Sequence, residues 1–253
     1  MRVAQEMRRK EPAALWVIRH AQSTGNVARE VAEAGGAELI EIAERDADVP
    51  LSDLGRRQAA AVGKWMGSLP PEQRPNVALS SPYRRALDTA REALAVLGPE
   101  FPLFVDERLR DRELGVLDLH TAAGVLARHP EEAARRRRLG KFYYRPFGGE
   151  SWADVALRLR SALGDATLDL AGERVVWFTH EAPILLIRYI VERLSENELM
   201  DIARSTVLAN GSVTRYELDP GGALQLVAFN VTEHLTEHGA QPTAEPDVRS
   251  EPT

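Results

Sequence analysis

Short apolar runs alternate along the chain with longer stretches in which apolar residues recur every three or four positions, the sign of an α/β fold with crossover helices. Four runs predict buried strands: ALWVIR ending at Arg19, NVALS ending at Ser80, FPLFV ending at Val105 and RVVWFTH ending at His180. Each is brief and bounded by polar or turn residues, and VVWF has the β-branched and aromatic content that separates strand from helix in short runs. Between them, Leu54, Ala61, Val62, Trp65, Met66 and Leu69 follow helical spacing behind an N-cap candidate, Ser52. Trp152, Val155, Ala156, Leu159, Ala162 and Leu163 form a second apolar face behind Ser151, which with Asp154 has the pattern of a capping box. Segments 82–97 and 183–194 also predict helices, each with Pro in its first turn, where a missing N–H costs little. The stretch GSVTRYELDPGGALQLVAFN alternates on both sides of Asp219-Pro220-Gly221-Gly222 and predicts a hairpin. Residues 28–50 are an acidic insertion to which the pattern assigns no element, and no internal repeat is visible.

The chain's 253 residues, 44% of them hydrophobic, suit one large domain with tails: a flexible segment over 1–12, a domain over 13–236 and a disordered stretch over 237–253. Its 32 basic and 38 acidic residues give a formal charge of -6, which argues against a nucleic-acid partner needing a broad basic face. With no cysteine there are no disulfides, no thiolate chemistry and no Cys-ligated zinc, and a reducing compartment fits. The start, MRVAQEMRRKEPA, lacks the apolar core of a signal peptide; PILLIRYIV is too short to span a bilayer and is interrupted by Arg188. The expectation is a cytoplasmic protein with no membrane partner; homo-oligomers remain open.

Ligand sites in open α/β sheets lie beyond the carboxyl ends of the strands. Four such ends carry Arg19-His20, Ser80-Ser81 leading to Arg84-Arg85, Asp106 leading into ERLRDREL, and Thr179-His180. Two histidines, several arginines and acids on one rim suit a phosphate ester. Guanidinium groups bind its oxygens bidentately, a neutral imidazole can attack phosphorus, and a carboxylic acid can protonate the departing oxygen. Arginines would neutralise developing charge, so the chemistry requires no metal and no cofactor. Taken singly, each residue has a structural explanation: a His at a strand end is more often a hydrogen-bonded structural group. The joint pattern RHxxSxxN, SPxxRAxxTA and THEAP is what carries the functional reading.

In the order RHAQSTGN, PLSDLGRRQA, SPYRRALDTA, LRDRELG, GGESWADV and FTHEAPI, these motifs resemble the histidine phosphatase superfamily, phosphoglycerate mutase-like branch, over residues 13–235. The resemblance implies a three-layer α/β/α sandwich with a mostly parallel sheet. It implies that His20 is the nucleophile that becomes phosphohistidine, that Arg19, Arg85 and His180 hold the phosphate, and that Asn26 lines the same pocket with Ser23 beside it. Arg84 falls on a variable position. For the proton donor, the family's Glu position holds Asp111, one methylene shorter, and Glu113 is the other candidate. Ala21 replaces a usual Gly after the nucleophile, and Glu181 replaces one after the second His, giving an HEA sequence closer to the HQA of the fructose-2,6-bisphosphatase branch. The implied activity is metal-independent hydrolysis of a small phosphorylated substrate. A phosphoglycerate mutase is the alternative and a non-catalytic phosphate-binding protein a third. Phosphatase is favoured because the mutases' tyrosine and arginine set after the acid motif does not align. In ARRRRLGKFYYRP, Lys141, Tyr143, Tyr144 and Arg145 are candidate substrate contacts over the pocket, while Arg135 to Arg138 read as a solvated helix face. His120, His129, His234 and His238 read as surface or structural groups, and Asp46 and Asp48 as a solvated pair.

Overall fold

In the computed structural model, which describes residues 11–244, the elements run β1 (Ala14–Arg19), α1 (Thr24–Ala34), α2 (Asp53–Ser68), β2 (Val77–Ser80), α3 (Arg84–Leu94), β3 (Leu103–Val105), α4 (Ala122–Arg128), α5 (Pro130–Tyr143), α6 (Trp152–Asp169), β4 (Arg174–Thr179), α7 (Glu181–Val191), α8 (Glu196–Ser205), β5 (Val213–Leu218), β6 (Leu224–Val231) and α9 (Glu233–Glu237). The sheet order is β3-β2-β4-β1-β5-β6. Strands β3, β2, β4 and β1 are parallel, and the predicted hairpin adds β5 and β6 antiparallel at one side. Side chains alternate between the faces of a strand. Leu15 and Val17 of β1 therefore pack with α6 and α7, while Trp16 and Ile18 pack on the opposite face with α2 and α3. Burial on both faces is why β1 and β4 read as unbroken apolar runs.

Local signals place the helices. The Ser52 hydroxyl accepts from Gly55 N at 2.9 Å, and Ser151 with Asp154 forms the expected capping box. Helix α5 breaks at Gly140, whose φ of 76 no helix tolerates. Two differences from the sequence reading have physical causes. The run FPLFV forms the outermost strand, so Phe104 and Val105 are 58% and 53% exposed: an apolar run records β-propensity, not position in the sheet. Residues 237–244, expected within a disordered tail, are tied to the domain at three points. Ala240 is buried, Gln58 Nε2 donates to Gln241 O at 2.8 Å, and Asn210 N donates to Thr243 O at 2.7 Å. Those partners are distant in sequence, and local composition carries no trace of them. The remainder of both expected tails, residues 1–10 and 245–253, lies outside the described residues. Among the described residues no helix is long and apolar enough to cross a membrane.

Candidate active site

Strand register brings the chemistry together. β1 and β4 are parallel neighbours with Arg19 opposite Thr179, so the next residue of each strand is a histidine, and the His20 and His180 ring centroids are 5.1 Å apart. The His20 N–H donates to Thr179 O at 2.8 Å, pinning the first loop to the second. β2 pairs with the other side of β4, which puts the Ser81 hydroxyl 2.8 Å from His180 Nε2 and starts α3 with Arg85 facing the same point. β3 leads through a one-turn helix, Glu107–Leu109, to Asp111. Asp111 Oδ2 accepts from Arg85 at 3.1 Å and lies 3.5 Å from His180 Nδ1, a buried atom with no hydrogen-bond partner among the described residues.

His20 is buried, and its Nδ1 lies 2.8 Å from Ala21 O. A carbonyl only accepts, so the proton sits on Nδ1 and the lone pair on Nε2. Burial, then the nearby Arg85, His180 and Arg19 charges, hold this imidazole well below its ordinary pKa. At neutral pH it is uncharged and nucleophilic. The same causes act on His180: burial first, then Arg85, Arg158 and Arg19. Ala21, in place of the usual Gly, fits without strain. It is not among the described non-glycine residues of positive φ, and its N–H donates to Thr89 Oγ1 at 3.0 Å.

The two arginines at this end are held differently. Arg19 donates to Leu208 O and lies 3.6 Å from Glu181 Oε2. Arg85 uses its terminal nitrogens on Asp111 and on Asp46, whose carbonyl and carboxylate it meets at 2.6, 2.9 and 3.2 Å. Burial alone would lower the Arg85 pKa, but the Asp46 and Asp111 charges outweigh it and raise it. Glu113 sits farther out, with a half-exposed side chain that accepts from the Tyr83 hydroxyl at 2.5 Å. Arg158 of α6 supports the acid loop from behind, donating to Arg108 O at 2.5 Å, Asp111 O at 3.0 Å and Glu150 Oε1 at 3.0 Å.

A cavity of about 180 Å³ opens over this floor. Arg19, His20, Ser23, Asn26, Arg85, Asp111, Glu113 and Tyr144 line it, whereas His180 lies fully buried behind His20. Ser23 caps α1, and its hydroxyl donates to Asn26 Oδ1 at 3.0 Å. Tyr144 donates to Glu132 Oε2 at 2.6 Å and fills the wall. Arg145 does not join the lining: its guanidinium pairs with Asp154, the acid of the α6 capping box. An acid one turn into a nearby helix outcompeted the pocket for that cation, which corrects its reading as a substrate contact. Arg136 moves the other way, from an expected solvated face into the lining. Asp46 and Glu181 were the omissions. Glu181 stands as a charge where the family places Gly; Asp46 reads in the sequence only as one of a solvated pair, because its segment has no periodicity and reaches Arg85 by folding back.

The profile of the histidine phosphatase superfamily (branch 1) matches residues 15–232. Over 155 residues the chain is 35% identical to 2,3-bisphosphoglycerate-dependent phosphoglycerate mutase 2 of Gloeobacter violaceus, covering 60% of this chain and 68% of that one. Over 153 residues it is 34% identical to the glucosyl-3-phosphoglycerate phosphatase of Mycobacterium tuberculosis, covering 60% of this chain and 59% of the relative. The solved structure of a mycobacterial glucosyl-3-phosphoglycerate phosphatase superposes with a TM-score of 0.68 at 27% identity, over 87% of this chain and 99% of that one. With two histidines and two arginines converging at the carboxyl edge of the sheet, in the order the motifs predict, the chain belongs to branch 1 of the histidine phosphatase superfamily.

Proposed function

We propose that this protein hydrolyses small phosphomonoesters through a phosphohistidine at His20, without metal or cofactor. The observation that carries the reading is the neutral His20, its Nδ1 committed to Ala21 O and its Nε2 lone pair available beside two arginines. In the first step Nε2 attacks phosphorus, the bond from phosphorus to the ester oxygen breaks, and a carboxylic acid gives that oxygen its proton, releasing the alcohol. In the second, water attacks phospho-His20 while the same group, now a carboxylate, takes the water's proton; inorganic phosphate leaves and His20 is restored. Arg19 and Arg85, which line the cavity, stabilise the phosphoryl oxygens throughout, and His180, buried beside His20 with its Nδ1 unpartnered among the described residues, supports them from beneath. Asp111 is the donor this reading favours, since it stands beside Arg85 and His180, whereas Glu113 is engaged by Tyr83. Asn26 and Ser23 shape the floor and Tyr144 the wall.

The relatives' names include a mutase as well as phosphatases. A mutase must retain an anionic phosphoglycerate while it reorients, and here Asp46, Glu113 and Asp118 offset the arginines around the cavity, which supports hydrolysis. The cysteine-free composition supports a cytoplasmic site of action. Incubation with a labelled generic phosphomonoester followed by quenching should yield an acid-labile, base-stable phosphoprotein. It should be absent in His20→Ala, with turnover down by about 10³-fold or more. Full turnover in that variant overturns the proposal.

A further inference from the structure

The outer half of the cavity is built by a part of the chain that the phosphate chemistry does not use. Residues 37–49 of the acidic insertion fold back onto the loop that leads into α4. Thr121 donates its hydroxyl to Ala37 O at 2.6 Å and its N–H to Glu38 O at 3.1 Å, and Ile40 N donates to Leu119 O at 2.8 Å. Leu119 adopts a φ of 57, a left-handed conformation that few side-chain-bearing residues take and that these bonds hold in place. α4 approaches so closely that a Cβ on Gly124 would stand 1.8 Å from Glu38 O. On the other side, Gly25 of α1 leaves room for Ile42 and Val49, which a Cβ there would meet at 3.4 and 3.1 Å. The insertion is thus a fixed wall.

The wall's largest contribution to the cavity is aliphatic, Ile40, Ile42, Leu114, Leu117, Leu119 and Val125, interrupted by Asp118 and His120, which lie against each other with His120 Nδ1 2.8 Å from Asp118 O. The six aliphatic side chains offer a sugar's hydroxyls no partners for the hydrogen bonds they would give up to water, so a polyhydroxylated body laid against them loses more than it gains. An anionic body gains no net attraction there either, because Arg29, Arg112 and Arg136 in the lining are balanced by Asp46, Glu113 and Asp118. Burial, followed by the Asp46 charge, pushes the Asp118 carboxyl upward, with Arg29 pulling the other way. The phosphate end takes the ester's charge, and the outer end takes its carbon.

We propose that this outer half is a leaving-group subsite for phosphomonoesters with an apolar body, medium-chain alkyl or aryl phosphates in chemical class. The assignment rests on the hydrolase reading above. A series of primary n-alkyl phosphates from ethyl to hexyl tests it, because chain length changes the apolar body while leaving-group acidity stays nearly constant. The expected result is a rise in kcat/KM of about two- to fourfold per added methylene until the cavity is filled. Glucose 6-phosphate and 3-phosphoglycerate should do no better than the ethyl ester. Ile42→Asn and Val125→Asn, on the two sides of the wall, should each flatten the series, with trapping of phosphohistidine from the ethyl ester reporting that the floor is still folded. A flat series in the natural protein, with phosphohistidine still formed, overturns the subsite and leaves the hydrolase reading standing. An undiminished slope in both variants overturns it too. Failure of every ester to label His20 removes the hydrolase reading and the subsite with it.

Discussion

The floor of the cavity and its outer wall are made in different ways. Floor residues His20, His180 and Arg85 follow directly from three neighbouring strands, and hydrogen bonds such as His20 N to Thr179 O and Ser81 N to Phe178 O tie each loop to the sheet. The wall is loop against loop, residues 37–40 bonded to 119–124, and it meets Arg85 of the floor through Asp46. The difference teaches where precision is needed. Phosphoryl transfer demands placement within fractions of an ångström, so its groups sit on the rigid sheet, while a wall that only excludes water and accepts carbon can be built from exchangeable loops. On this view the carboxylate anchored nearest the sheet carries the proton. Asp111→Asn should therefore lower kcat by about 10²-fold or more on alkyl esters and much less on esters with good leaving groups. Glu113→Gln should stay within a few-fold on both. A reversal would move the acid from the floor to the rim and break the comparison at its centre.

Two glycines offer the same steric insult in the two regions. A Cβ at Gly55 would lie 1.9 Å from Gln22 O, beside the floor, and one at Gly124 would lie 1.8 Å from Glu38 O, in the wall. Overpacking of this kind costs about 1–3 kcal/mol or more. For a domain of this size each kilocalorie is worth about 2–4 °C in Tm. Gly55→Ala should lower Tm and also the yield of phosphohistidine, because the loop carrying Ala21 and Gln22 must shift. Gly124→Ala should lower Tm by less, since the wall can detach, and should keep phosphohistidine formation from a short ester. Thermal melts with quench labelling on both variants check this; equal loss of labelling would mean that wall and floor fold as one unit.

The buried histidines set the next effect. In the folded state His20 and His180 are held below their ordinary pKa, chiefly by burial, so as pH falls through about 6.5 the unfolded chain takes up protons that the native one refuses. More protons on the unfolded state means that stability declines with falling pH, by up to about 1.4 kcal/mol per pH unit for each group. The decline continues down to the depressed folded values. Urea titrations at pH 7.5, 6.5 and 5.5 should give decreasing stability, and His180→Asn should make the slope shallower. Activity should not follow the same curve near pH 6, where His20 remains neutral in the native protein.

How much of this was legible follows the same division. β1 and β4 could be read because burial on both faces leaves an unbroken apolar run, and the residues after Ile18 and Phe178 then fall at the sheet edge by geometry alone. The wall was opaque: α1 ends inside the insertion, and the segment beyond it has no period, since its positions are fixed by backbone bonds to Leu119 and Thr121 rather than by a repeating apolar face. The pairing of Arg145 was hidden for a related reason. Its motif neighbour Asp154 was correctly seen as a helix cap, but a cap acid is also a partner for any nearby cation. Side-chain pairing is decided in three dimensions, among partners that spacing does not rank.

Asp46 joins the wall to Arg85 of the floor, and it yields the smallest expected effect. Among the described residues, three of the four hydrogen bonds from the Arg85 terminal nitrogens end on Asp46, and the fourth ends on Asp111. A phosphate that engages Arg85 through those nitrogens must share or displace the Asp46 carboxylate, whose charge repels it. Asp46→Asn keeps the shape and removes the charge. Because Asp46 is 42% exposed, the pair is solvent-screened and its loss is worth about 1 kcal/mol at most. Inhibition by inorganic phosphate should therefore tighten by up to about fivefold, measured as a fall in its inhibition constant with an alkyl phosphate as substrate. A weaker inhibition would carry the opposite meaning. Asp46 would then be what holds the Arg85 guanidinium in position for the phosphate, and the wall would belong to the catalytic floor after all.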